Sequence, residues 1–110
     1  MPKRAQHVLA YLIVLVPAFG IGAAWAGEWR YCLAAAPAQH AIYMSAPFAA
    51  EAEIDMLEAE FGRALDRAHR PHNSVQCPHG DRNAILAMKR HAIRYSRASG
   101  ERVIEIDWRP

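Results

Sequence analysis

"SVQCPHGD", residues 74–81, decides the fold, because it separates two helical patterns with a stretch that cannot continue either of them. Val75 and Cys77 alternate with Ser74 and Gln76, as in a very short strand. Pro78 and Gly80 then break the chain, and Asp81 has the side chain of a helix N-cap. Read as a strand, this stretch turns the helix on either side of it into a crossover between strands.

Upstream, from about Phe48 to His69, the period of the apolar residues is that of a helix. Ile54, Leu57, Phe61, Leu65 and Ala68 form one stripe. Glu51, Glu53, Asp55, Glu58 and Glu60 fill the early turns and Arg63, Arg67 and Arg70 the late ones, each sign at the end the helix dipole favours. Pro71 stops the run. Before it, "EWRYCLA" (28–34) and "AIYMS" (41–45) read as two strands of a hairpin, joined by a loop containing Pro37. Downstream, Asp81 opens a helix running to about Ala98, with Ile85, Met88, Ala92 and Tyr95 inward and Leu86 and Ile93 widening the stripe. Gly100 suits a left-handed C-terminal cap. "RVIEIDW" (102–108) closes the chain as a strand, with Ile104, Ile106 and Trp108 alternating against Val103, Glu105 and Asp107.

The element order is therefore strand, strand, helix, strand, helix, strand. Right-handed crossovers stepping the same way put both helices on one face. The expected fold is an α+β two-layer sandwich: a four-stranded mixed sheet of order 2-1-3-4 with two helices on one side. That order sets the strands of Cys32 and Cys77 side by side.

The first 26 residues read differently. Lys3 and Arg4 precede an apolar core at residues 8–16, the breakers Pro17, Gly20 and Gly22 follow, and Ala24-Trp25-Ala26 offers a cleavage site before Gly27. This is the layout of a signal peptide. The alternative is an inner-membrane anchor over residues 8–26, since about 20 apolar residues can span a bilayer. Without Lys3 and Arg4 the remaining 84 residues carry eleven basic and eleven acidic side chains. No net charge then favours a polyanion, and nucleic acid is not an expected partner. Eleven Arg against two Lys, abundant Ala and no Thr suit a GC-rich bacterial genome, hence the periplasm or the medium.

Residues 27–110 are enough for one exported domain, of a size that often needs a covalent staple. Cys77 has three conceivable roles. A nucleophile requires a base in reach, and an unpaired reactive thiol is hazardous in an oxidising compartment. As a metal ligand it would join His69, His72 and His79, but Arg70 and Pro71 make "HRPH" a loop, and a set of only two of these His with Cys77 is incomplete. A disulfide needs only Cys32. Closing a loop of 45 residues would remove about 4 kcal/mol of unfolded-chain entropy.

The direction in which Cys32 points governs the rest of strand 1. If it faces the helices, Trp29 and Tyr31 lie on an open sheet face with Tyr43, Gln76, Glu105 and Asp107. That platform would suit an envelope glycan or a protein partner. If the strand is reversed, both aromatics are buried and the platform does not exist. The other candidate is a transition-metal site of His69, His72 and His79, with Met44 if the metal is copper. Ser45, Ser74, Ser96 and Ser99 belong to no nucleophile motif and no carboxylate pair stands apart, so no catalysis and no cofactor are expected. Arg90, Arg94 and Arg97 form a basic stripe that could meet a membrane surface.

Overall fold

A computed structural model of the protein describes residues 28–110; the signal-peptide and anchor readings of residues 1–26 lie outside the described residues. The chain forms β1 (Trp29–Arg30), β2 (Leu33–Ala36), a 3-10 turn (Pro37–Gln39), β3 (Ala41–Ser45), β4 (Phe48–Ala49), α1 (Ile54–Arg67), β5 (Val75–Gln76), β6 (His79–Gly80), α2 (Arg82–Ala98) and β7 (Arg102–Ile106). A four-stranded mixed sheet runs β5-β2-β3-β7, and a smaller antiparallel one β4-β1-β6. The fold is α+β, with a mixed four-stranded sheet and a Cys32–Cys77 disulfide.

The two sheets meet at a seam. Tyr31-Cys32, Ala46-Pro47 and Cys77-Pro78 each interrupt a strand, and two of the three breaks contain a proline, which has no donor for a ladder. Polar side chains repair the bonds lost there. The Cys32 N–H donates to Ser45 Oγ (2.8 Å), Ser45 Oγ donates to the Ala46 carbonyl (3.0 Å), and Arg30 Nη1 donates to the Cys77 carbonyl (2.7 Å). The disulfide crosses the seam, with Cα atoms 4.1 Å apart.

The strand order differs from the expected 2-1-3-4. The hairpin strands are neighbours, and the Cys77 strand lies beside that of Cys32 as expected. The closing strand, however, pairs in parallel with β3, from Ala41↔Arg102 to Ser45↔Ile106. The reason is length: β7 has five residues, as β3 does, whereas β5 offers a partner only Val75 and Gln76.

This order moves one helix. β3 and β5 both run antiparallel to β2, and β7 runs parallel to β3. The crossover through α1 therefore steps one way along the sheet and the crossover through α2 steps back. Right-handed crossovers in opposite directions deliver their helices to opposite faces. The core divides accordingly. Leu57, Phe61 and Leu65 of α1 pack with Cys32, Ala34, Ala36, Ala41 and Tyr43. Ile85 of α2 packs with Tyr31, Ile42 and Met44. The arrangement is helix, sheet, helix, in three layers, and the expectation of two layers with both helices on one face is corrected. All five residues of β3 are buried, as in a strand covered on both sides.

α1 is shorter than its sequence pattern. It begins at Ile54, which is 41% exposed, and Phe48 belongs to β4. Asp81 caps α2 as expected, its Oδ1 accepting from the Ala84 N–H (2.8 Å), and Gly100 follows the helix with φ 83°. The inward face of α2 is rotated from the expected one. Ile85, Lys89 and Ser96 are buried, while Met88 and Tyr95 are 41% and 67% exposed. Lys89 accounts for the rotation. Its ammonium donates to the Ser45 carbonyl (2.9 Å), whose strand ladder ends at the seam, and to Glu105 Oε1 (2.7 Å).

Candidate functional site

Two helices on opposite faces leave the sheet without an open side, and the expected aromatic platform does not form. Tyr31 is buried under α2 and Tyr43 on the α1 side, at 1% and 3% exposure. Burial pushes the Tyr31 phenol above its ordinary pKa. Trp29 is half-buried, with the Arg82 guanidinium 5.5 Å from its ring centre. Glu105 is engaged by Lys89, and Asp107 and Gln76 are exposed. Cys32 does face a helix as one reading required, but the opposite face is helix-covered too.

The proposed metal ligands are also kept apart. His69 is an exposed residue just after α1, in the left-handed conformation (φ 56°), and its role there is to turn the chain. His72 is held by Asp66 Oδ1 (3.1 Å) and the Asn73 carbonyl (2.6 Å). His79 is exposed on β6, and Met44 is fully buried beneath α2. Among the described residues no three His, Cys, Asp or Glu side chains come together, so the metal reading is corrected as well. The cysteines are bonded to each other and neither is a free thiol.

The arrangement with the most chemistry lies where the chain leaves β7. The Trp108 N–H donates to the Ile106 carbonyl (2.9 Å), a tight turn that folds the indole back onto the α1-side core. Its ring packs tilted on Phe61 (centroids 5.1 Å apart) and edge-on to Phe48 (5.7 Å). Arg109 and Pro110 are thereby carried alongside α1. Glu60, Arg63 and Arg67, spaced for one helix face, complete a groove of about 290 Å³ with Trp108, Arg109 and Pro110.

Among the described residues, none of the Arg63, Arg67 and Arg109 guanidiniums is within ion-pairing distance of a carboxylate. Three cationic side chains against the single carboxylate side chain of Glu60 make the groove a local positive field in a domain whose basic and acidic side chains are equal in number overall. Guanidinium forks match carboxylate and phosphate geometry in a bidentate way, and the Trp108 indole adds an apolar wall. The groove can therefore hold an anion attached to a less polar body. Sequence reading missed it because Arg63 and Arg67 read as helix-end charges and Trp108 as a core residue. The "DWRP" tail, an aromatic next to an arginine after the last strand, was the available signal.

A second groove, about 410 Å³, lies between the turn at Pro37–Gln39 and the loop at Pro71–Asn73. It is larger, but its one imidazole, His72, is already bonded to Asp66 and Asn73, and it gathers no set of charges. Among the described residues no helix is long and apolar enough to cross a membrane. No family model matches the chain, and neither a curated protein nor a solved structure does.

Proposed function

We propose that this chain is a small exported bacterial envelope protein, non-catalytic, whose mature domain (residues 27–110) binds an anionic ligand in the Arg63–Arg67–Arg109–Trp108 groove. The ligand class is an envelope glycan bearing carboxylate or phosphate groups. The observation that carries this reading is that three guanidiniums without an ion pair among the described residues line one groove with the Trp108 indole. The export half rests on the order of Lys3-Arg4, the apolar run and Ala24-Trp25-Ala26. The Cys32–Cys77 bond supports it, because such bonds persist in oxidising compartments.

The non-catalytic half is supported by the use made of polar side chains in the core. Ser45 Oγ is buried and bonded to backbone at the seam, and Lys89 holds a carbonyl and a carboxylate. Glycan recognition, first assigned to an open sheet face, moves to a groove at the edge of the α1 layer.

The test is calorimetric titration of the full chain, recovered as the producing cell processes it, with a uronic-acid oligosaccharide and with its neutral hexose counterpart. The acidic sugar should bind and the neutral one should not. Arg63→Gln with Arg67→Gln should weaken binding at least tenfold with Tm nearly unchanged, since each charge-assisted hydrogen bond contributes about 1.5–3 kcal/mol. Equal affinity of the wild type for both sugars, or of the double variant for the acidic one, would overturn the assignment.

A further inference from the structure

We infer that the outward face of α2 is a docking surface for the headgroup layer of an anionic lipid bilayer, separate from the glycan groove on the α1 side. The helix distributes its residues against what water alone would select. Lys89 and Ser96 point inward, while Met88 and Tyr95 stand 41% and 67% exposed. Seven residues apart, Met88 and Tyr95 lie two turns from each other on one line, with the exposed Ala84 beside it. Arg90, Arg94 and Arg97 form a second exposed line, and between the two lie only Ala87, His91 and Ala98, all exposed. From Arg82 to Gly100 the chain has no carboxylate. Among the described residues none of the three arginines of the stripe is ion-paired.

An apolar line beside a basic line is the surface of a helix lying in a membrane interface, where apolar side chains enter the acyl boundary and cations meet phosphate. Charge decides between occupants. A symmetric contact with a second copy would set each arginine line against another of the same sign. An anionic bilayer supplies the opposite sign along the whole helix.

His91 lies within the face and His69 on the far side of the sheet, which gives an internal control. The full chain is treated with a histidine-acylating reagent alone at several protein concentrations, with inorganic phosphate, with phosphatidylcholine vesicles, and with vesicles of mixed phosphatidylglycerol and phosphatidylcholine. Modification is then read at each histidine by peptide mass spectrometry. Docking predicts that the anionic vesicles protect His91 several-fold, leave His69 reactive, and lose this effect at high salt. The Arg90→Gln, Arg94→Gln, Arg97→Gln variant should partition roughly 100-fold more weakly while melting as the wild type does. Four results would each overturn the inference: His91 equally reactive with anionic vesicles, His91 equally protected by phosphatidylcholine alone or by inorganic phosphate, protection rising with protein concentration without lipid, and protection of His69 in place of His91. Docking is read at His91, on the opposite side of the sheet from the glycan groove, so the two proposals can fail independently.

Discussion

The two faces of the sheet are closed by helices of similar length and opposite logic. α1 seals its side with Leu57, Phe61 and Leu65, all fully buried, and keeps its charges outside. α2 seals its side with Ile85 alone among the large apolar residues that are fully buried, and spends its next inward position on Lys89. The difference comes from the seam. Cys32 donates to the hydroxyl of Ser45, which leaves the Ser45 carbonyl needing a donor inside the protein, and Lys89 reaches it from α2. A helix that must satisfy a backbone carbonyl cannot also present an uninterrupted apolar stripe.

The largest expected effect tests that contrast directly. Phe61→Ala should cost about 3–5 kcal/mol, because it removes a fully buried ring and the support for Trp108. That is a large part of the roughly 5–15 kcal/mol of a whole domain. Ile85→Ala, equally buried but beside Lys89, should cost less, near the lower end of about 2–5 kcal/mol. Chemical denaturation of both variants gives the comparison. If Ile85→Ala proves the more damaging, α2 provides the tighter face and the contrast is reversed.

Reduction of Cys32–Cys77 should come next, at about 4 kcal/mol. Both sulfurs belong to the α1-side cluster. Partial reduction followed by hydrogen exchange should therefore expose amides of β2 and β5 before those of α2. Simultaneous loss on both faces would show that the seam, rather than either face, is the cooperative unit.

Lys89 sharpens the comparison from the other side. Lys89→Met keeps the apolar stem and removes the donor, leaving the Ser45 carbonyl buried and unbonded, for about 1–3 kcal/mol. Lys89→Ala should cost more, since the stem packing is lost as well. Equal stability of Lys89→Met and wild type would mean that water reaches the carbonyl and the α2 face is open.

Alkaline pH reaches the same face through Tyr31. Its folded pKa is raised by burial, so the folded state holds the phenolic proton more tightly than the unfolded state does. That contribution is fully present below the unfolded value of about 10 and is lost as pH rises above it through the folded one. Stability followed by denaturant melts should fall in that range, and Tyr31→Phe should remove the fall. A Tyr31 phenolate that forms at its ordinary pH without loss of structure would show that the α2-side cluster admits water.

Much of this fold was legible because the responsible signals are local. The α1 stripe, the Asp81 cap, the Gly100 turn and the hairpin each follow from a few neighbouring residues, and the pairing of Cys32 with Cys77 follows from the chain having only two cysteines. The layer count was not read, although a signal was present. "CLAAA" and "AIYM" show no alternation of apolar with polar residues, as expected of strands covered on both faces, whereas "RVIEIDW" alternates as a strand with one wet face does. The order of β7 depends on a choice of partner that strand length decides, and β5 is shorter than "SVQC" suggested. The face of α2 could not be read at all, since the need for Lys89 arises at a carbonyl 44 residues away. The aromatic platform failed with the layer count, and the arginine groove was missed because it is assembled from α1 and the tail, which are remote in sequence.

The smallest expected effect settles the orientation of α2. The sequence pattern turns Tyr95 inward with Met88; the structure turns Ser96 inward and leaves Tyr95 67% exposed. These neighbours are about 100° apart around the helix, so only one of them can face the core. Tyr95→Ala should then change stability by no more than about 0.5 kcal/mol, while Ser96→Leu, forced into a filled position at 4% exposure, should cost about 1–3 kcal/mol through overpacking. Thermal melts of the two variants decide the matter. If Tyr95→Ala is the costly one, the helix is rotated, Lys89 leaves the Ser45 carbonyl, and Met88 and Tyr95 withdraw from the outward surface. The bilayer-docking face would then keep its arginines but lose its apolar line, leaving only salt-sensitive electrostatic contact.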